Sequence, residues 1–398
     1  MMEALQKLYN EMEDILVSNI LPYWMNGMKD NARGGFFGRI TGRDVLMPDA
    51  PKGAILCARI LWTFSAAYRL LGKQEYLDMA THAKRYLIDC FYDRDFGGVY
   101  WSLTAEGDPL DTKKQVYAIG FAVYGLSEYH RATGDEEALT YAVRLFDDIE
   151  KHSFDTVKNG YQEAFTRQWE EIADMRLSEK DANERKTMNT HLHILEPYTN
   201  LYRVWKDDRL RERLHNLILL FTEKILNKET SHLQLFFNDD WQSKSSIISY
   251  GHDIEASWLL HEAALELGDT RLLASVEMVV RCIADAAAEG VTTEGGMIYE
   301  RDTNTGHTDA DRHWWVQAEA VVGYFNIYQH FDDPVALQRS LDCWEFIKKH
   351  LIDREHGEWF WSIRADGTVN REDDKAGFWK CPYHNGRMCM ELMQRISK

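Results

Sequence analysis

Arg33-Gly34-Gly35-Phe36-Phe37 is echoed by Asp95-Phe96-Gly97-Gly98-Val99-Tyr100-Trp101, Asn159-Gly160-Tyr161, His232-Leu233-Gln234-Leu235-Phe236, Glu294-Gly295-Gly296-Met297-Ile298-Tyr299 and His356-Gly357-Glu358-Trp359-Phe360-Trp361. An acidic or polar turn runs into glycine and then aromatic residues six times, at intervals of roughly 60 residues, and self-similarity at a fixed period marks a repeat architecture. The fourth copy has lost its glycines. Between copies the chain gives two helical stretches, so it reads as six helical hairpins, and six hairpins can close into a ring of twelve helices. A closed ring has a mouth, and a mouth can be an active site.

The chain has 398 residues, 45% of them hydrophobic, enough for a large core, and a helical toroid keeps such a length in one unit. With only 7 Pro and no low-complexity tract, no linker is visible, and residues 1–398 are expected to form a single domain. The formal net charge of -18 repels phosphate backbones and anionic headgroups, and no basic stripe offsets it. Nucleic acid and membrane are therefore not expected as partners. The amino terminus mixes acidic and apolar residues as a surface helix does, and no run reaches membrane-span length, so the expected location is the cytoplasm. Six cysteines (Cys57, Cys90, Cys282, Cys343, Cys381 and Cys389) lie scattered without a CxxC pair, as reduced core thiols do. Aromatic residues are plentiful, with 13 Trp and 19 Tyr, and such faces pack on the C–H surface of sugars as readily as they fill a core.

Residues 53–71, 116–129, 190–205, 254–267, 314–331 and 383–396 are apolar or small around most of a helical circumference, and such helices belong in the middle. The segments that follow, such as 75–90 and 136–149, carry one apolar stripe opposite charged residues and form the outer ring. Inner-to-outer links are tight turns with Gly or Asp, as at Leu71-Gly72-Lys73, Thr133-Gly134-Asp135 and Leu267-Gly268-Asp269. The outer-to-inner links are long and carry the glycine and aromatic phrase, so they gather at one end, above the inner-helix amino termini. Function is expected there. The longest, 155–186, with Trp169 inside it, reads equally as a lid or as a solvated excursion.

Unusual polar residues fall at that same end: Arg59, Tyr117, Asn189 with His193, His252 with Glu255, Trp315 with Glu319, and His384. The i,i+3 and i,i+4 pairs each share a helix face, and Glu255 is placed to fix the ring of His252. His191 points elsewhere. A lone histidine in an apolar helix is more often a core residue, but three at equivalent places of a repeat form an acid/base set. No complete metal-ligand spacing occurs on one element, so no metal is expected. No GxGxxG, Walker loop or GxSxG elbow is present, so no cofactor is expected. Glycoside hydrolysis by Glu255 with Glu319 or Asp374 is a rival chemistry, and a sugar-binding protein without turnover is another.

Four stretches are similar to the N-acylglucosamine 2-epimerase superfamily: Met188-Asn189-Thr190-His191-Leu192-His193-Ile194-Leu195-Glu196, Ser249-Tyr250-Gly251-His252-Asp253-Ile254-Glu255-Ala256-Ser257-Trp258, His313-Trp314-Trp315-Val316-Gln317-Ala318-Glu319, and Trp379-Lys380-Cys381-Pro382-Tyr383-His384-Asn385-Gly386-Arg387. The resemblance covers essentially the whole chain, is closest to the disaccharide-converting branch, and implies an all-α (α/α)6 barrel. It implies reversible epimerisation at C2 of the reducing-end glucose of β-1,4-linked disaccharides, cellobiose to glucosylmannose and lactose to epilactose, without metal or nucleotide. A monosaccharide substrate such as mannose or N-acetylmannosamine is the alternative. By motif match His252 and His384 would exchange the C2 proton, His193 would assist ring opening, and Glu255 would hold His252. Arg59, Tyr117 and Asn189 would bind the reacting sugar, Trp315 and Trp379 would stack on sugar rings, and Glu319 would line the same site. Trp379 also reads as a plain plug of the mouth. A monomer is expected, with a dimer as the alternative.

Overall fold

A computed structural model describes residues 2–397. The chain opens with α1 (Met2–Ile15) and α2 (Leu21–Gly27) and then alternates: α3 (Ala54–Leu71) and α4 (Gln74–Tyr86), α5 (Val116–Thr133) and α6 (Glu136–His152), α7 (Met188–Val204) and α8 (Asp208–Leu220), α9 (Tyr250–Leu267) and α10 (Thr270–Ala287), α11 (Trp314–Phe331) and α12 (Pro334–Phe346), and last α13 (Tyr383–Ile396). Sequence periodicity places these helices to within a few residues; the largest shift at an inner-helix start is at α9, which begins at Tyr250 rather than at 254. The polar Gly251-His252-Asp253 start hides that first turn from an apolar pattern.

The two sets of helices differ as their patterns require. α3 buries every residue from 54 to 67, whereas α4 buries only the stripe Tyr76, Met79, Ala80, Ala83, Lys84 and Tyr86. Around the middle, α3 packs on α5, α5 on α7, α7 on α9, α9 on α11, α11 on α13, and α13 returns to α3. Outside, α4 covers α3, α6 covers α5, α10 covers α9, α12 covers α11, and the amino-terminal α1 covers α13. Inner helices α3, α5 and α9 stop at left-handed Gly72, Gly134 and Gly268, and the next helix starts on a capping aspartate at Asp135 and Asp269. Ala54–Leu71 is long and apolar enough to cross a membrane, but 78% of it is buried inside the fold.

Each glycine phrase closes a hairpin turn with one backbone bridge: Lys29 with Phe36, Tyr92 with Val99, Phe154 with Tyr161, Leu226 with Leu233, Val291 with Met297, and Ile352 with Trp359. Left-handed residues make the turn, Gly97 and Gly98 in the second copy, and Ser231 at φ 62° keeps that conformation in the copy without glycines. Short antiparallel strands then link neighbouring repeats, a feature that helical patterning alone does not predict. The residues just ahead of α3, α5, α7, α9 and α11 pair with the loop of the next repeat, for example Lys114 with Phe165, and Ile40 with Ala376 makes the sixth link.

A buried ion pair fastens most of these loops. Asp30, Asp93, Asp155 and Asp353 each accept backbone N–H bonds within their own turn through one oxygen. With the other they hold Lys52, Lys114, Lys186 and Lys375. Three of those lysines stand two residues before an inner helix. In the fourth repeat Asn227 takes the aspartate's place, and the tie comes from the helix instead: Asp253 holds His232 Nδ1 at 2.7 Å and the Leu233 N–H at 2.8 Å. Gln317 on α11 and His191 on α7 clasp Met297 and Tyr161 from the same helical position. His191 is therefore a structural clamp, directed away from the mouth as expected.

At the opposite end the inner helices finish in matched polar groups. Arg69 meets Glu128 at 2.7 Å, Arg203 meets Glu262 at 2.6 Å, and Arg395 meets Asn326 at 2.9 Å. The connection 155–186 is tied down rather than loose: Trp169 stacks on His152 with 4.3 Å between centroids, and Gln115 Nε2 donates to the carbonyls of buried Met175 and of Arg176. Asp181 lies close enough to act on Tyr299 and Glu300 ahead of α11.

Asp93 tests the clamp. Burial raises its carboxyl, but bonds from Arg167 and Lys114 outweigh that and hold it well below the usual range, so its contribution is present above the unfolded carboxylate pKa and lost as pH falls below it. Asp93→Asn strands the fully buried Lys114 ammonium and should lower the unfolding free energy by about 3–5 kcal/mol in urea titration. A loss well under about 1 kcal/mol would mean that the pair does not hold the loop.

Candidate active site

At the mouth the inner helices bring together side chains from distant parts of the chain. Trp315, on the first turn of α11, has its ring centroid 4.7 Å from His252 of α9 and 5.7 Å from His384 of α13. His193 of α7 packs against Tyr117 and Phe121 of α5 at 4.9 and 5.0 Å. Arg59 of α3 donates to the Tyr117 hydroxyl at 2.8 Å and lies over Phe121 and Tyr383. The three histidines thus face one space, bounded by Arg59 and Trp315.

Each ring has a fixed partner on Nδ1. His384 Nδ1 lies 2.7 Å from Glu319 Oε1, His193 Nδ1 lies 3.1 Å from Glu196 Oε2, and His252 Nδ1 lies 2.8 Å from Ser249 Oγ. With Nδ1 occupied, Nε2 is the nitrogen left to meet a ligand. The expected bond from Glu255 to His252 is not made. Glu255 turns instead to Arg387 Nη2 at 2.9 Å and stands 3.9 Å from His384 Nδ1, because on α9 its position faces α13. Ser249, just ahead of the helix, takes the place beside His252. Glu319, expected as a lining residue, is 1% exposed and also accepts a bond from Trp258 Nε1, so it supports His384 from behind.

Burial governs the electrostatics. Desolvation brings His252 down to about 4, and it holds His193 and His384 well below the ordinary imidazole value, with the Arg59 charge adding to it for both. At neutral pH all three rings are neutral and able to accept a proton. Burial also raises Glu255 to about 8, and it holds Glu319 well above the ordinary carboxylate value, with Glu255 nearby adding to it. Tyr117 is pushed up to about 12, so its hydroxyl stays a donor.

Trp379 is half-buried among Trp101, Tyr117 and Phe378, with centroids 5.9, 6.0 and 5.5 Å away, and its carbonyl accepts from Arg59 at 3.4 Å. It therefore forms an aromatic wall beside Arg59. Among the described residues none hydrogen-bonds the buried Oδ1 of Asn189. Glu255, Glu319 and His384 bring one ligand atom each within 4.8 Å of one another, the density a cation site needs. Arg387 Nη2 already bridges the two carboxylates at 2.9 and 2.6 Å, so a guanidinium holds the place that a metal would take.

The residues to which sequence reasoning gave no role are Ser249, Tyr383, Arg387 and Trp258, and Glu196 was weighed only as a possible metal ligand beside His193. Glu196 and Arg387 each follow a candidate histidine by three residues, and that spacing was the available signal. Trp101 belongs to the repeated phrase, and nothing local marks it as a neighbour of Trp379.

An all-α chain with three inward-facing imidazoles and an arginine at one mouth has the equipment of a carbohydrate isomerase that moves protons. Residues 35–386 match the family model described as N-acylglucosamine 2-epimerase (GlcNAc 2-epimerase), and the chain belongs to that family. It is 73% identical to a cellobiose 2-epimerase of Bacteroides fragilis over 97% of this chain and 98% of that protein. It is 43% identical to a cellobiose 2-epimerase of Ruminococcus albus over 98% of this chain and 99% of that one. Among solved structures, cellobiose 2-epimerase from Bacillus thermoamylovorans superposes with a TM-score of 0.94 at 44% identity, covering 98% of this chain and 100% of that chain.

The burial of His252 sets a measurable expectation. Its ring should stay neutral at and below the ordinary value of 6.5 and charge only as the pH falls towards about 4. Imidazole NMR shifts resolved for His252 check this, and a midpoint near 6.5 would contradict the buried setting.

Proposed function

We propose that this protein epimerises cellobiose and related β-1,4-disaccharides at C2 of the reducing-end glucose, using its histidines to carry the proton. The observation that carries the reading is the approach of His252 and His384 from different helices to the single ring of Trp315, each held by its own partner. The reaction needs such a pair. A C2 proton is acidic only when C1 is an aldehyde, so the sugar ring opens first, with His193 assisting at the sugar oxygens. One imidazole Nε2 then takes the C2 proton, and the C–H electrons form the C1–C2 double bond of a cis-enediolate as the charge moves onto O1. Arg59 and the Tyr117 hydroxyl stabilise that oxygen. The opposite imidazole, neutral in the resting site, takes up a solvent proton as the enediolate anion forms beside it and delivers that proton to C2 from the other face, and the charge flows back to restore the aldehyde while the first imidazolium releases its proton to solvent. Because the site depresses both rings, an imidazolium there is a strong acid, which favours rapid return.

Asn189 offers its unpaired buried oxygen to a sugar hydroxyl, and Trp315 and Trp379 give the two sugar rings their faces. Glu319 acts by fixing His384. The cycle of inner-helix contacts supports an (α/α)6 barrel formed by residues 1–398 as one domain. The six free cysteines agree with a cytoplasmic location, and the protein works as a monomer without metal or other cofactor. Hydrolysis is disfavoured by geometry: Glu255 and Glu319 lie side by side on one arginine nitrogen, whereas a hydrolase needs its carboxylates on either side of the scissile bond.

Incubation with cellobiose in D2O should give glucosylmannose with deuterium at C2, followed by NMR. Product without solvent deuterium would exclude proton exchange, and faster turnover of mannose or N-acetylmannosamine would move the substrate to a monosaccharide. His252→Ala and His384→Ala should each reduce kcat by roughly 10²–10⁴-fold.

A further inference from the structure

Below the three histidines, one turn into α13, Arg387 is 1% exposed and meets carboxylates from three other inner helices. Its Nη1 donates to Glu196 of α7 and to the Tyr383 hydroxyl, and its Nη2 donates to Glu255 of α9 at 2.9 Å and Glu319 of α11 at 2.6 Å. Glu196 is the partner of His193, and Glu319 is the partner of His384. The two halves of one planar guanidinium therefore stand behind two different histidines. A lysine could not make this arrangement, since an ammonium has no fork to span both sides.

We infer that Arg387 is a positioning residue that joins His193 and His384 into one proton-sharing unit, so that ring opening at one histidine and proton exchange at the other are set by a common charge. The inference rests on the proposed epimerisation. Three carboxylates face Arg387, and Arg59 is the cation that acts on Glu255 from the mouth. If every carboxylate were ionised, three negative charges would face two positive ones, and a single shared proton makes the set neutral. The unpartnered, buried Oε2 of Glu255 is one place for that proton. Burial brings Arg387 down only to about 10, so it keeps its charge at neutral pH.

The groups that face the two rings define the expected shift. His193 meets Glu196 on its own helix, Tyr117 of α5, and the charges of Arg59, His384, His252 and Arg387. His384 meets Glu319 of α11, Glu255 and His252 of α9, Arg59 of α3 and Lys380 ahead of its own helix. Arg387 is the one positive charge common to the carboxylates behind both. Removing it eases protonation of His193, so the acid limb of kcat/KM should move to higher pH.

The test compares Arg387→Lys and Arg387→Gln with the unaltered protein on cellobiose. We expect kcat to fall by roughly 10–100-fold in both with KM changed far less, and the acid limb to rise in Arg387→Gln. A lowered melting temperature with an unmoved pH profile would show a merely structural role and overturn the inference. Should either variant fail to fold, Glu196→Gln and Glu319→Gln, singly and combined, decide the matter. A double variant less impaired than the product of the singles supports coupling, and a strictly multiplicative loss overturns it. Cellobiose turnover by the unaltered protein, measured alongside, separates failure of this inference from failure of the proposed reaction.

Discussion

Lys114 and Asp93 are both fully buried, 2.8 Å apart, and the same pairing recurs at Lys52, Lys186 and Lys375. This tie sets the loops before α3, α5, α7 and α13, while α9 and α11 use Asp253 and Gln317 for the same purpose. The aspartate organises its own turn through one oxygen and holds a lysine just ahead of an inner helix with the other, so a long surface loop and a core helix share one reference point. Burying a charge is unfavourable unless its partner is fixed, and that demand makes the arrangement unforgiving. A loop that slipped by one residue would leave an ammonium without its carboxylate. The short strands between repeats carry the same registration from one hairpin to the next, and helix starts that are placed in this way place Arg59, Tyr117, His252 and Trp315.

The chemistry then follows from dryness. The site is lined by aromatic rings and closed below by Arg387 and its carboxylates, so charge is costly and the three histidines, Glu255, Glu319 and Tyr117 lean towards their neutral forms. A ring held neutral at neutral pH has a lone pair free to accept a proton, and once charged it gives the proton up readily. An exposed set of the same histidines would titrate near the ordinary value and lose that property. The far end of the fold solves the opposite problem. There Arg69 with Glu128 and Arg203 with Glu262 tie neighbouring inner helices together with paired charges.

Much of this was legible in the residues. The six phrases marked the repeat, the circumferential apolarity of 54–71 and 314–331 marked inner helices, and the polar first turns marked the functional end. The pairing within the site was not legible. Glu255 sits three residues from His252, and helical spacing alone makes them partners, yet the partner of Glu255 is 132 residues away. Glu319 and His384, 65 residues apart, meet only because α11 and α13 are neighbours. Ser249 was invisible because it precedes the helix and has no periodicity to mark it. The charged plug at the far end had a signal, a polar residue within the last turns of each inner helix, but opposite signs become informative only once the helices are set side by side.

By itself the sequence determined the period, the inner and outer character of each helix, the end at which polar side chains gather, and the family, because each is encoded by local spacing or by contiguous motifs. Only the tertiary structure decided which carboxylate serves which histidine and that one arginine stands behind two of them. Those choices depend on angles between helices far apart in the chain, and no local spacing specifies them.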